Sequence, residues 1–221
     1  MGILDRLFGN KPKTGISPEM EKIFDKMYTF LSDENLQNST FHPQFLALLY
    51  KDIVDRVPNY SGEFGLTLTN PIPVNGAIGE IIYLSRLCTD DLKKPILFHR
   101  IGSIGSGNAI TRDTVDVYET VSIDGSKWDI IYFNYYYAGK SRMAPAGYNI
   151  AKNQSMMYGT NIFVSNFPVG IREAAMKCSK TVMGMPLVGK EVRIAEETVK
   201  FIKPDSHIQK INTLTTKINK I

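Results

Sequence analysis

Apolar side chains recur at helical spacing in the first quarter of this chain, alternate with polar ones through its middle, and return to helical spacing near its end. Ser17-Pro18-Glu19 supplies an N-cap, a first-turn proline and an acid at the positive dipole end, ahead of Met20, Ile23, Phe24, Met27 and Leu31. A second helix is expected from Pro43 to Arg56, with Leu46, Leu49, Tyr50, Ile53 and Val54 on its apolar stripe. Between Asn59 and Gly79 glycine, proline and asparagine dominate, with a short strand expected at 64–68. The run 78–87 is apolar on nearly every side, which periodicity alone reads as either helix or strand; the reading leans to helix.

The β pattern is clearest in the middle. Residues 95–101 read as a strand. Val115, Val117, Val121 and Ile123 alternate with polar partners, Asp124-Gly125 offers a turn, and 128–137 continues the sheet. That second arm is apolar on both faces, as in a strand covered on both sides. A strand at 161–165 and a helix over 169–183 follow, and 192–203 is ambiguous. Pro204-Asp205 opens a last helix in which Ile208, Ile211, Leu214 and Ile218 fall at steps of three or four. The pattern therefore predicts an α+β fold: N-terminal helices, a central, mainly antiparallel sheet built round the 115–137 hairpin, and C-terminal helices. Its organisation is expected to be an amphipathic tag and linker over 1–15, a single α+β domain over 16–203, and an amphipathic helix over 204–221.

Composition changes this picture little. With 221 residues, 43% hydrophobic and 22% charged, the chain can bury a core without a metal or disulfide staple. Cys88 and Cys178 form no Cys-x-x-Cys pair and, beside three scattered histidines, make no zinc set, so no metal and no cofactor is expected. No apolar run approaches the ~20 residues of a membrane span, and residues 2–9 carry Asp5 and Arg6 where a secretory leader would be apolar. A cytoplasmic protein is expected. Charge is more informative in its distribution than in its net value of +4: residues 15–139 hold ten basic against sixteen acidic side chains, and 140–193 hold eight against two. Such asymmetry marks an anion-binding face or, more simply, two halves that pair across one fold.

The phosphate-binding patterns are incomplete. Gly102, Gly105 and Gly107 are spaced in the reverse of the dinucleotide order, and the Gly139-Lys140-Ser141 run has Asn134 where a P-loop needs its first glycine. There is no Gly-x-Ser-x-Gly elbow and no His-Glu-x-x-His helix. Tyr132, Tyr135, Tyr136 and Tyr137 lead into Lys140 and Arg142, a combination that can stack bases and hold phosphates, although tyrosines on a covered strand are foremost core residues and a nucleic-acid partner is not the expectation.

Two functional classes follow. The first is a non-enzymatic interaction protein, binding a protein partner or a second copy of itself through its terminal helices (Ile208, Ile211, Leu214 and Ile218 on the last of them) or through the basic–aromatic face. The second is an enzyme or binder for an anionic ligand, with His99 and Glu80 as candidate catalytic groups and Arg100, Lys140 and Arg142 as anion contacts. Weak nucleic-acid binding is a third. The first reading is carried forward, because no catalytic constellation is evident while apolar stripes mark both ends.

Overall fold

The computed structural model describes residues 55–74, 76–105, 114–135, 137, 141–151, 158–178 and 189–218. The expected helices at 17–31 and 43–56 and the tag and linker over 1–15 lie outside, or almost outside, these residues. So does Lys140.

The element order is β1 (Ile72–Pro73), α1 (Gly76–Arg86), β2 (Leu87–Thr89), β3 (Ile96–Gly105), β4 (Thr114–Ser122), β5 (Trp128–Asn134), β6 (Tyr148–Ile150), β7 (Gly159–Thr160), α2 (Ile171–Cys178), α3 (Lys190–Thr198) and α4 (Asp205–Ile218). Five strands form one sheet in the order β1-β5-β4-β3-β7, and β2 and β6 form an antiparallel ribbon. The fold is thus α+β, with a sheet that is mixed rather than mainly antiparallel. β3, β4 and β5 are antiparallel, but β1 runs parallel to β5 and β7 parallel to β3. Each flanking strand has two residues, too few to show a period, and Pro73 has no N–H to give a ladder. The strand expected at 64–68 is a turn, and the one expected at 161–165 is displaced to Gly159–Thr160.

The β4–β5 connection closes as expected. Gly125 takes a φ of 78°, which a side chain would strain, and its N–H reaches the Ser122 carbonyl at 2.8 Å. The Asp124 carboxylate accepts hydrogen bonds from the Ser122 and Ser126 hydroxyls. The run that could be helix or strand is α1, apolar around its circumference because it lies inside the molecule, with Ile81, Ile82, Tyr83 and Leu84 all buried.

Both faces of the sheet are covered. On one, here the ribbon face, Ile96, Phe98, Tyr118, Ile131 and Phe133 pack against α1 and the β2–β6 ribbon. On the other, the helical face, Leu97 and Val121 meet Val164, Phe167, Ile171 and Val192, while Ile104, Val117 and Ile130 meet Leu214 of α4. Burial of a side chain such as Leu214 contributes about 1.5–3 kcal/mol. α4 therefore shares the core of the domain instead of standing apart from it. The double cover also explains why β4 is buried from Val115 to Ser122, its polar residues included. Among the described residues no helix is long and apolar enough to cross a membrane.

Candidate functional site

Two polar clusters are buried on opposite sides of β4. The β3–β4 register sets His99 opposite Glu119 on the helical face. The Glu119 carboxylate accepts three hydrogen bonds, from His99 Nε2 at 2.9 Å, His207 Nε2 at 3.0 Å and Lys203 Nζ at 2.6 Å. Pro204 lies between the lysine and the helix carrying the histidine, so one chain turn brings both donors to the same carboxylate. Burial alone would raise the pKa of Glu119, but the hydrogen bonds from His207, His99 and Lys203 prevail and bring it down to about 2. His99 is fully committed: Nδ1 accepts the Val164 N–H at 3.0 Å, which leaves the proton on Nε2 for Glu119, and the ring stacks on Phe167. Burial lowers its pKa, so it is held neutral.

On the ribbon face Arg100 grips Asp116 with two hydrogen bonds, Nε to Oδ2 at 3.0 Å and Nη2 to Oδ1 at 2.9 Å. Ser103 Oγ donates to the same Oδ1 at 2.6 Å. Arg100 and Ser103 are three residues apart and would project to opposite faces of a regular strand. The bulge between Arg100 and Gly102 restores them to one face, so both reach Asp116. Beyond Asp116, Glu80 of α1 accepts the Tyr118 hydroxyl at 2.8 Å through Oε2, and its Oε1 has no hydrogen-bond partner. Burial, reinforced by the nearby Asp116 carboxylate, pushes the pKa of Glu80 well up, so Glu80 keeps its proton.

The candidate residues are accordingly dispersed. His99 and Arg100, adjacent in sequence, lie on opposite faces of the sheet, and Glu80 shares the ribbon face with Arg100 alone. Arg142 is exposed and holds Asp55 at 2.8 Å. Tyr132 packs in the α4 core, Tyr135 against the ribbon-face core, and Tyr137 is buried. Of the terminal-helix stripe, Ile211, Leu214 and Ile218 pack on their own sheet, and Ile208 stays 40% exposed. Among the described residues no three His, Cys, Asp or Glu side chains are grouped to hold a metal. The part played by Glu119, Lys203 and His207 was not anticipated from the sequence. The one available signal was Glu119 in phase with the apolar positions Val115, Val117 and Val121.

Two open concavities are lined by described residues. One, of about 620 Å³, runs between α4 and β5 with Lys210, Lys217, Asp129 and Glu63 on its walls, cations and acids in equal number. The other, of about 500 Å³, lies at the end of α1 beside the β2–β6 ribbon. Comparison with known protein families, curated proteins and solved structures finds no match.

Proposed function

We propose that this chain is a non-enzymatic interaction protein, that its contact surface is the outer side of the helical layer, and that the surface takes a second copy of the chain. One observation carries the reading. Of seven large apolar side chains exposed among the described residues, five belong to the segments that cover the helical face: Phe163, Val169, Ile194, Ile202 and Ile208. Ile202 and Phe163 are 67% and 59% exposed. Isolated exposed apolar residues are ordinary, but the concentration of five of the seven in one layer favours a surface that is covered in use. The exposed side of α3 also carries both signs of charge, with Lys190, Glu191, Arg193 and Glu197, so two copies related by a two-fold axis can match charge with charge. The anionic-substrate alternative finds no common pocket for His99 and Arg100, and the candidate catalytic groups His99 and Glu80 are both buried in the core.

The test is the solution mass of the full chain by light scattering at rising concentration, beside Ile194→Lys/Ile202→Lys. Both positions are exposed, so folding should be unchanged within about 0.5 kcal/mol per site. A dimer that the double variant converts to a folded monomer is the expected result. A full chain that stays monomeric throughout, or a dimer whose mass ignores the substitutions, overturns the reading. Truncation at Lys203 is unsuitable, since it removes His207 from Glu119 and Leu214 from the core.

A further inference from the structure

One rim of the central sheet lacks a partner strand among the described residues. β5 pairs with β4 from Trp128 to Phe133, but on its other side β1 meets it only at Phe133 and Asn134. Next to that short pairing the Tyr132 N–H donates to the Gly65 carbonyl at 2.9 Å. Alternate residues of a strand turn their N–H and C=O groups to the same side, so Trp128 and Ile130, in step with Tyr132, point theirs outward. No described group meets those backbone atoms there. The one charge on this stretch, Asp129, is drawn to the ribbon side, where its carboxylate accepts the Tyr148 hydroxyl at 2.7 Å and lies 3.4 Å from Lys127 Nζ. The rim is therefore open to a further strand.

The concavity of about 620 Å³ lies against this rim. Asp129 belongs to the ribbon face of β5, and Ile130 and Tyr132 to the helical face, so a hollow lined by all three opens past the edge of the strand. Leu66, Tyr132 and Leu214 give it an apolar floor, and α4 is its other wall. Lys210 and Lys217 stand about two helical turns apart on that wall, exposed and without an ion pair to any described residue. Glu63 lies on the turn that Gly65 holds to β5. A strand edge beside a helix takes up extended peptides, with main-chain hydrogen bonds for affinity and side-chain contacts for specificity. We infer that this rim is a docking site for an extended, acidic peptide segment of a partner protein. The segment adds a strand along Trp128–Ile130 and turns alternate carboxylates toward Lys210 and Lys217. Side chains on one face of such a strand recur about every 6.8 Å, a spacing that two flexible lysines can follow. Glu63 confines the acids to the α4 side by repulsion from its own. Neither Ile194 nor Ile202 lines the groove, so it holds or fails independently of the assembly proposed above.

The probe is a short, end-capped, fluorescent peptide of alternating glutamate and valine, titrated against the full chain by anisotropy. Saturable binding is expected, and the same peptide with lysine in place of glutamate should not bind. Lys210→Gln/Lys217→Gln alters two exposed positions, so it should fold normally by circular dichroism and bind about tenfold more weakly. Lys93→Gln, on the other concavity, should bind as the native chain does. Backbone methylation then tests the added strand itself. In antiparallel pairing the residue opposite Ile130 shares its face and gives its own N–H to the rim. Methylating the glutamate nitrogens should then abolish binding, and methylating the valine nitrogens should spare it. In parallel pairing the two sets exchange roles, so the contrast assigns the strand direction. Hydrogen exchange at the Ile130 amide, read by NMR, should slow in the complex. Absence of saturable binding overturns the site. So does equal binding of the lysine peptide, binding that ignores the double substitution or survives methylation of each set in turn, or exchange at Ile130 that the peptide leaves unaltered.

Discussion

Glu119 and Glu80 are both buried carboxyl groups packed against the central strand of one sheet, and they hold opposite charge states. Glu119 meets three donors from two chain segments and is ionised. Glu80 meets one hydroxyl and a neighbouring carboxylate, and is protonated. Burial is common to the two and so does not decide the outcome; the number of donors and the sign of the nearest charge do. On the helical face the carboxylate ties the last helix to the sheet. On the ribbon face the neutral acid serves as a polar side chain in an apolar core.

The strongest way to break the comparison is Glu119→Gln. It removes the charge that Lys203 meets and sets an amide NH2 against histidine donors, so a loss of about 3–5 kcal/mol is expected in urea unfolding at neutral pH. The pH dependence of the native protein follows from the same group. Its folded pKa of about 2 lies below its ordinary value of 4.5, so the unfolded chain binds the proton more readily between these values. The stability that Glu119 contributes is complete above pH 4.5 and is lost as the pH falls toward 2, which an acid titration of the unfolding midpoint would show. Lys203→Met comes next. It removes one partly exposed donor, so about 1–2 kcal/mol should be lost, and the acid transition should move to higher pH as the folded pKa of Glu119 rises. The smallest effect, of opposite sign, is expected of Glu80→Gln. The raised pKa of Glu80 means that its contribution is full below its ordinary value of 4.5 and declines as the pH rises above it. The amide has no proton to lose, so the variant should match the native protein within about 1 kcal/mol at neutral pH and exceed it on further alkalinisation. A Glu80→Gln variant as damaged as Glu119→Gln would end the contrast.

Local patterns were legible where one element satisfies one rule. The Asp124-Gly125 turn, the strand from Ile96 and the helix after Pro204 were each anticipated from spacing and turn chemistry within a dozen residues, whereas spacing left the α1 run open between helix and strand. β1 and β7 were not, since two-residue strands carry no period. Nor was the pairing of β3 with β4, which decides the polar clusters: without the register, His99 and Arg100 read as neighbours converging on one pocket. Alternation on β4 carried no sign that its polar face is covered; Asp116, Thr120 and Ser122 are buried because α1 and the ribbon lie on that side. The stripe of α4 was visible, but which surface it met was not. A helix that docks on its own sheet has the same spacing as one that docks on a partner.

The tie between Glu119 and His207 spans 88 residues of chain. During synthesis a carboxylate destined for the interior is made long before two of its three donors exist. Until residues 203–207 have emerged, the sheet must either leave that carboxylate hydrated or protonate it, and the helical face stays open to water. Closure of the domain is therefore a late event, set by the appearance of a lysine and a histidine rather than by completion of the strands.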